Sequence, residues 1–246
     1  MCGRYAVTQS PDDLADEFGV DQIDVRERLE PDWNVAPTKP SPTVLARPPR
    51  DAKDAEPVRQ MRNLTWGLVP SWAKDPKIGS RLINARAETV HEKPAFRRAF
   101  ATRRLIVPIS GFYEWFPTER VTKAGKPIKQ PFYLRRKDEH PLALAGLYEF
   151  WRRRDTPDGD PNAWLITFTI ITTKASDDVG HIHDRMPMTV ARENWQSWLD
   201  PRLDDTDAAR QLMEAPASGS LDVFPVSTEV NNVRNNGPHL VDPVTL

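Results

Sequence analysis

Apolar residues in this chain come in short runs broken by charged or proline-rich stretches, a pattern that predicts strands rather than long amphipathic helices. The runs lie at residues 43–46, 64–69, 105–109, 132–135, 142–148, 164–172 and 223–226. Helical signals are fewer. Ser10-Pro11-Asp12-Asp13 ahead of Leu14, Ala15 and Phe18, closed by Gly19, predicts a short capped helix. Residues 95–101, 193–199 and 207–215 are three further helical candidates. Because the strands are not separated by regular helices, a doubly wound parallel sheet is disfavoured. The pattern predicts an α+β fold: a single domain over 1–246 with a mixed or antiparallel, barrel-like β core and peripheral helices. Residues 48–58, 117–131 and 152–162, rich in charge, Pro and Gly, predict solvated loops inserted on that domain, since strand signals continue on both sides of each.

Composition narrows the classes. The 34 basic and 35 acidic residues leave a net charge of −1, so any attraction for nucleic acid must be local. A single cysteine excludes an internal disulfide and argues against a cysteine-based zinc site. No apolar run is long enough to span a bilayer, and Met-Cys-Gly-Arg-Tyr lacks the basic-then-apolar pattern of a secretory signal. A cytoplasmic protein without a membrane role is therefore expected. Local positive charge is present: Lys93, Arg97, Arg98, Arg103 and Arg104 follow Glu92 with no further acid. With Trp33, Trp66, Trp72, Phe96, Phe100, Tyr113 and Trp115 interleaved, this fits sequence-tolerant single-strand binding, although a basic helix face can also be merely solvated.

Cys2 stands directly after the initiator methionine. Removal of Met1 would leave an α-amine and a thiol on adjacent carbons, with reference pKa values near ~8 and ~8.5. Such a 1,2-aminothiol can condense with an aldehyde through an imine and close a thiazolidine ring. The alternative is a small apolar residue without a chemical role. Glu114 lies in the aromatic run Gly111-Phe112-Tyr113-Glu114-Trp115-Phe116. If that run is extended, Phe112, Glu114 and Phe116 share a face, and burial would raise the carboxyl toward a general acid. An edge-strand glutamate paired with arginine is the competing reading. Asn84, Arg86 and Glu88 would lie on one side of an extended stretch, where the amide can orient a reacting group and the guanidinium suits phosphate. A surface Arg86–Glu88 pair is the alternative there. His181 and His183 are too few for zinc. One imidazole for proton transfer, with Arg185 beside it for an anion, is more economical; a surface loop histidine is the alternative.

Taken in order, Met-Cys-Gly-Arg-Tyr, Trp33-Asn34-Val35-Ala36-Pro37-Thr38, Trp66-Gly67-Leu68-Val69-Pro70-Ser71-Trp72, Asn84-Ala85-Arg86-Ala87-Glu88-Thr89, Gly111-Phe112-Tyr113-Glu114-Trp115, Ala145-Gly146-Leu147-Tyr148-Glu149, Phe168-Thr169-Ile170-Ile171-Thr172-Thr173 and His183-Asp184-Arg185-Met186-Pro187 resemble the SRAP (SOS response-associated peptidase-like) family from residue 2 to about residue 230. The resemblance implies a nucleoid-associated sensor of abasic sites in single-stranded DNA that cross-links itself to the ring-opened sugar aldehyde. Carried onto this chain, it implies Cys2 as amine and thiol, Asn84 as an orienting amide, and Glu114 as proton shuttle. It further implies His183 as the aid to ring opening. Arg4, Arg86 and Arg185 would hold phosphates, and Trp66 and Trp72 would line the DNA surface. Trp33 replaces an expected tyrosine and Ser110 an expected aspartate, neither at a reacting group. Two other classes stay open: a thiol N-terminal-nucleophile peptidase and a non-catalytic single-strand binder. Neither the residues nor the resemblance argues for a metal, a cofactor or an oligomer, so a monomer is expected.

Overall fold

The computed structural model describes residues 2–246 apart from 25–28, 50, 51, 53, 122, 123, 126, 158 and 161. Its centre is a closed ring of five strands. Pro40–Arg47 pairs antiparallel with Val58–Trp66 (Val44 opposite Met61), and Val58–Trp66 runs parallel to Trp164–Lys174 (Trp66 opposite Phe168). Trp164–Lys174 is antiparallel to Leu142–Arg152, which is antiparallel to Arg104–Ile109. Arg104–Ile109 returns to Pro40–Arg47 through Val44 opposite Ile106 and closes the ring. Full closure leaves no unpaired ring edge, and Arg104–Ile109 is buried along its whole length. At the seam, a Cβ on Gly146 would meet Leu105 Cδ1 at 2.6 Å and the Thr169 carbonyl at 2.9 Å, so only glycine allows three strands this close.

Against the barrel lies an antiparallel sheet in the order Leu221–Pro225, Pro127–Arg136, Gly111–Val121, Tyr5–Val7, Asp32–Val35. The mixed barrel with peripheral helices is the α+β arrangement expected from the sequence. One expectation fails: 117–131 is not a loop, because Gly111–Val121 and Pro127–Arg136 extend through most of it as a hairpin. Its outer part projects into solvent, and charged strand residues there carry no hydrophobic alternation to read. Helices are short. Pro11–Glu17 is capped by Ser10, whose Oγ accepts from the Asp13 amide at 3.1 Å. The 193–199 candidate is a 3₁₀ turn, Arg192–Asn194, running into Trp195–Leu199. The 207–215 candidate stops at Gln211, beyond which Met213–Glu214 joins the barrel sheet.

Arg104 ties the helices to the barrel. Its Nε, Nη1 and Nη2 donate to the carbonyls of Trp198, Phe100, Ala101, Asp200 and Leu203 at 2.7–2.8 Å. Burial lowers its pKa to about 10. Arg104→Met should destabilise the fold by about 3–5 kcal/mol in denaturant titration, because five carbonyls lose their donor in a dry setting. A loss under ~1 kcal/mol would mean water replaces the guanidinium.

Candidate active site

The amino-terminal strand brings Cys2 to Glu114. Tyr5 pairs with Phe112, Ala6 with Gly111, and the Tyr113 amide donates to the Arg4 carbonyl at 2.9 Å. Continued outward, this antiparallel register sets Cys2 alongside the Glu114–Trp115 step. Both Cys2 and Glu114 are buried, at 0% and 2% exposure. Burial pushes the thiol well above its ordinary value, and the neighbouring Glu114 charge pushes it further. The Glu114 carboxyl is pushed up to about 7, chiefly by burial, with the positive amino terminus the main opposing influence, Asp184 adding to the rise and Lys129 weakly opposing it. The carboxyl thus exchanges its proton near neutrality while the thiol stays protonated.

Asn84 reaches the same corner from the barrel. Its strand, Asn84–Arg86, runs parallel to the end of Trp164–Lys174, with Asn84 opposite Ile170. A close backbone crossing feeds it: Gly67, at φ +120°, lies so near Gly79 that a Cβ there would sit 2.6 Å from the Gly79 carbonyl oxygen. Asn84 Nδ2 donates to the Cys2 carbonyl at 2.8 Å. Asn84 Oδ1 is buried and accepts no hydrogen bond among the described residues, leaving an acceptor for an incoming donor.

On the other flank of Trp164–Lys174, Arg185–Pro187 pairs antiparallel. His183 precedes it, half-buried, and its Nδ1 accepts the Arg185 amide at 3.0 Å. Burial lowers the imidazole pKa, and with Nδ1 accepting the Arg185 amide a neutral ring would carry its proton on Nε2. Asp184 Oδ1 lies 2.9 Å from the same Nδ1 and would receive it if the ring took a second proton. Arg185 grips Glu88 with both terminal nitrogens, at 2.7 and 3.0 Å, and the Thr172 carbonyl at 2.6 Å. This fork holds the Glu88 carboxyl below the usual carboxylate range. Among the described residues, no three His, Cys, Asp or Glu side chains converge to hold a metal ion.

The Cys2 thiol thus lies buried at one corner with the near-neutral Glu114 carboxyl and the Asn84 amide, and comparison with known proteins identifies the family of the chain. The family model for SOS response associated peptidase (SRAP) matches residues 1–233. The chain belongs to the SRAP family. It is 38% identical over 242 residues to the abasic site processing protein YoqW of Bacillus subtilis (strain 168), covering 98% of this chain and 99% of that one. It is 30% identical over 281 residues to the abasic site processing protein HMCES of Xenopus tropicalis, covering 100% of this chain and 79% of that one. A crystal structure of a Bacteroides thetaiotaomicron protein shares the fold, with a TM-score of 0.81 at 24% identity over 99% of this chain and 100% of that one.

The structure sorts the remaining SRAP motif residues. Trp66 does not line a surface: it is fully buried, packs on Tyr5 at 4.8 Å and Phe168 at 6.5 Å between centroids, and donates from Nε1 to the Ile83 carbonyl at 2.9 Å. Trp72 is 57% exposed. Arg86 is exposed on its short strand, whereas Arg185 is committed to Glu88 and Thr172. Arg4 Nη1 donates to Asn34 Oδ1 at 2.6 Å and to the Val230 carbonyl at 2.8 Å. The basic run after Glu92 divides as well. Lys93, Arg97 and Arg98 face solvent, while Arg103 pairs with Glu149 at 2.8 Å and Arg104 is buried. Ser110 Oγ accepts the Thr8 amide at 2.9 Å, and the Trp33 ring packs partly buried against the cluster of Tyr113, Tyr133 and Val230, so both departures from the family pattern sit in local packing. Sequence reading missed Asp184 and Lys129 as influences on Glu114. Asp184 could have been suspected from its place beside His183; nothing in the pattern marked Lys129.

Proposed function

We propose that this chain, after loss of Met1, captures abasic sites in single-stranded DNA through Cys2. The α-amine adds to the C1′ aldehyde of the ring-opened sugar, and water departs to leave an imine. The thiol then adds across the C=N bond, sulfur joining carbon and the thiol proton passing to nitrogen, so a thiazolidine forms with net loss of one water. Glu114 supplies and recovers the protons of carbinolamine formation and dehydration. His183 Nε2–H serves sugar ring opening, and the open acceptor of Asn84 orients the amine or a sugar hydroxyl.

The observation that carries this reading is the chain's one cysteine held at position 2 against a buried carboxyl that titrates near neutrality. The names of the curated SRAP relatives point the same way. A peptidase acting through the thiolate fits less well, because burial and the Glu114 charge both disfavour that anion. Intact mass after mixing with a single-stranded oligonucleotide bearing one abasic site tests the proposal. The expected species is the chain lacking Met1, plus the oligonucleotide, minus one water. A correctly processed amino terminus that forms no adduct would overturn it.

Arg86, exposed and two residues from Asn84, is the arginine best placed for phosphate. Arg86→Ala should weaken binding of lesion-free single strands and reduce the slope of log affinity against log salt by ~1. An unchanged slope would place Arg86 off the DNA path.

A further inference from the structure

Asn34 is a fully buried asparagine whose side chain is spent on a distant part of the chain. Its Nδ2 contacts the carbonyls of Val230, Asn232 and Asn235 at 3.3, 3.0 and 2.9 Å, and its Oδ1 accepts Arg4 Nη1 at 2.6 Å. Arg4 also donates to the Val230 carbonyl at 2.8 Å, and its guanidinium stands 5.7 Å from the Trp115 ring centroid. Trp115 in turn donates from Nε1 to Asn231 Oδ1 at 2.6 Å. One segment, residues 230–236, therefore grips the residue two beyond Cys2 and the residue next to Glu114. Arg4 leads into the Tyr5–Val7 strand and Trp115 lies on the adjacent Gly111–Val121 strand, and the Tyr113 amide joins the two through the Arg4 carbonyl at 2.9 Å.

We infer that the 230–236 segment and Asn34 form a positioning clasp that sets the amino-terminal Cys2 against Glu114, with Arg4 and Trp115 as its handles. A free chain end must otherwise lose its conformational freedom at the moment of reaction, and a terminus reaches the correct geometry rarely unless it is held. Strand pairing cannot hold it alone, because the Tyr5–Val7 strand ends before Cys2. The clasp supplies the missing restraint from the far end of the sequence, and it assigns Arg4 to holding the terminus rather than to phosphate. This inference rests on the covalent-capture reading above.

The test is single-turnover capture of an abasic oligonucleotide over a range of DNA concentrations. It compares the unsubstituted chain, Asn34→Ala, Asn231→Ala and Asn231→Asp. Asn231 is exposed, so its substitution leaves the core intact. Asn231→Ala should lower the maximal rate about 3–10-fold with an unchanged half-saturating DNA concentration. Asn34→Ala should lower it at least about tenfold, in line with the steep dependence of rate on placement. Asn231→Asp keeps an acceptor for Trp115 and should restore the rate. Amide exchange at Tyr113, whose partner is the Arg4 carbonyl, should quicken in both alanine variants. Wild-type maximal rates in both alanine variants would overturn the clasp, as would a defect confined to half-saturation, which would make these residues DNA contacts. If the unsubstituted chain forms no adduct, the capture reading fails by itself, and Tyr113 exchange still decides whether the segment restrains the terminus: unchanged exchange in both alanine variants overturns the clasp.

Discussion

Glu114→Gln should capture an abasic site roughly 10²–10⁴-fold more slowly than the unsubstituted chain, the range typical of removing a positioned acid–base group. The amide keeps the shape of the carboxyl and cannot pass a proton. Its loss should also change the pH profile. With its pKa pushed to about 7, Glu114 is protonated below neutrality and can assist departure of the carbinolamine hydroxyl; above pH 7 that acid form disappears and the dehydration step slows. The unsubstituted chain should show this descending limb, and Glu114→Gln should lack it. Stability carries a second signature. The folded carboxyl holds its proton up to about 7 instead of an ordinary 4.5, so the folded state binds more protons than the unfolded state between those values. Stability is therefore full below the lower value and falls as pH rises through the upper one, by about 3 kcal/mol in all. Glu114→Gln should flatten that fall. A variant with the parent rate and the parent pH profile would remove Glu114 from the chemistry.

The candidate reacting groups stand out in the sequence because each breaks a local rule. Glu114 is a charge inside an aromatic run, and Cys2 is a lone thiol at a processable end. Their meeting required only that Gly111–Phe112 pair with Tyr5–Ala6, a tertiary fact that no local pattern contains. Arg104–Ile109 and the first part of Leu142–Arg152 are legible for the opposite reason: buried on both faces, they read as continuous apolar runs. Val58–Trp66 is legible only at its end, because Arg59, Gln60, Arg62 and Asn63 interrupt it. What misled was surface character. The resemblance sets both Trp66 and Trp72 on the DNA surface, but two residues in one motif can face opposite environments, and only Trp72 meets solvent. In the sequence Arg103 and Arg104 belong with Lys93, Arg97 and Arg98 to one basic cluster. Between them the Arg97–Thr102 helix ends and the Arg104–Ile109 strand begins, which turns Arg104 inward to cap carbonyls. The asparagine clasp was invisible because its parts lie about two hundred residues apart, Asn34 and Asn235 being separated by 201 positions. Isolated asparagines carry no periodicity, and their role depends on which carbonyls the fold brings to them.

Cys2→Ala should abolish the stable adduct while leaving the amine's share of the reaction in place. Alanine at position 2 is small enough for Met1 still to be removed, so the variant presents an α-amine in the same corner beside Glu114 and Asn84. That amine can form the imine but has no thiol to close on it, and the imine returns to aldehyde and amine on hydrolysis. Intact mass should therefore show no adduct without a reductant. With borohydride, which delivers hydride to the imine carbon and leaves a secondary amine, it should show protein plus oligonucleotide minus one water plus two hydrogens. The order of steps makes this the sharper experiment. Burial and the Glu114 charge raise the Cys2 thiol, so a mechanism opened by thiolate attack works against its surroundings, whereas an amine-first mechanism uses the thiol only as a protonated, intramolecular trap. If Cys2→Ala binds abasic DNA yet borohydride captures nothing, the amine is not the first nucleophile, and the thiolate would have to be generated by a base that moves into the corner when DNA binds. If a stable adduct forms without reductant, the linkage does not need sulfur, and Cys2 is left with the packing role its complete burial allows.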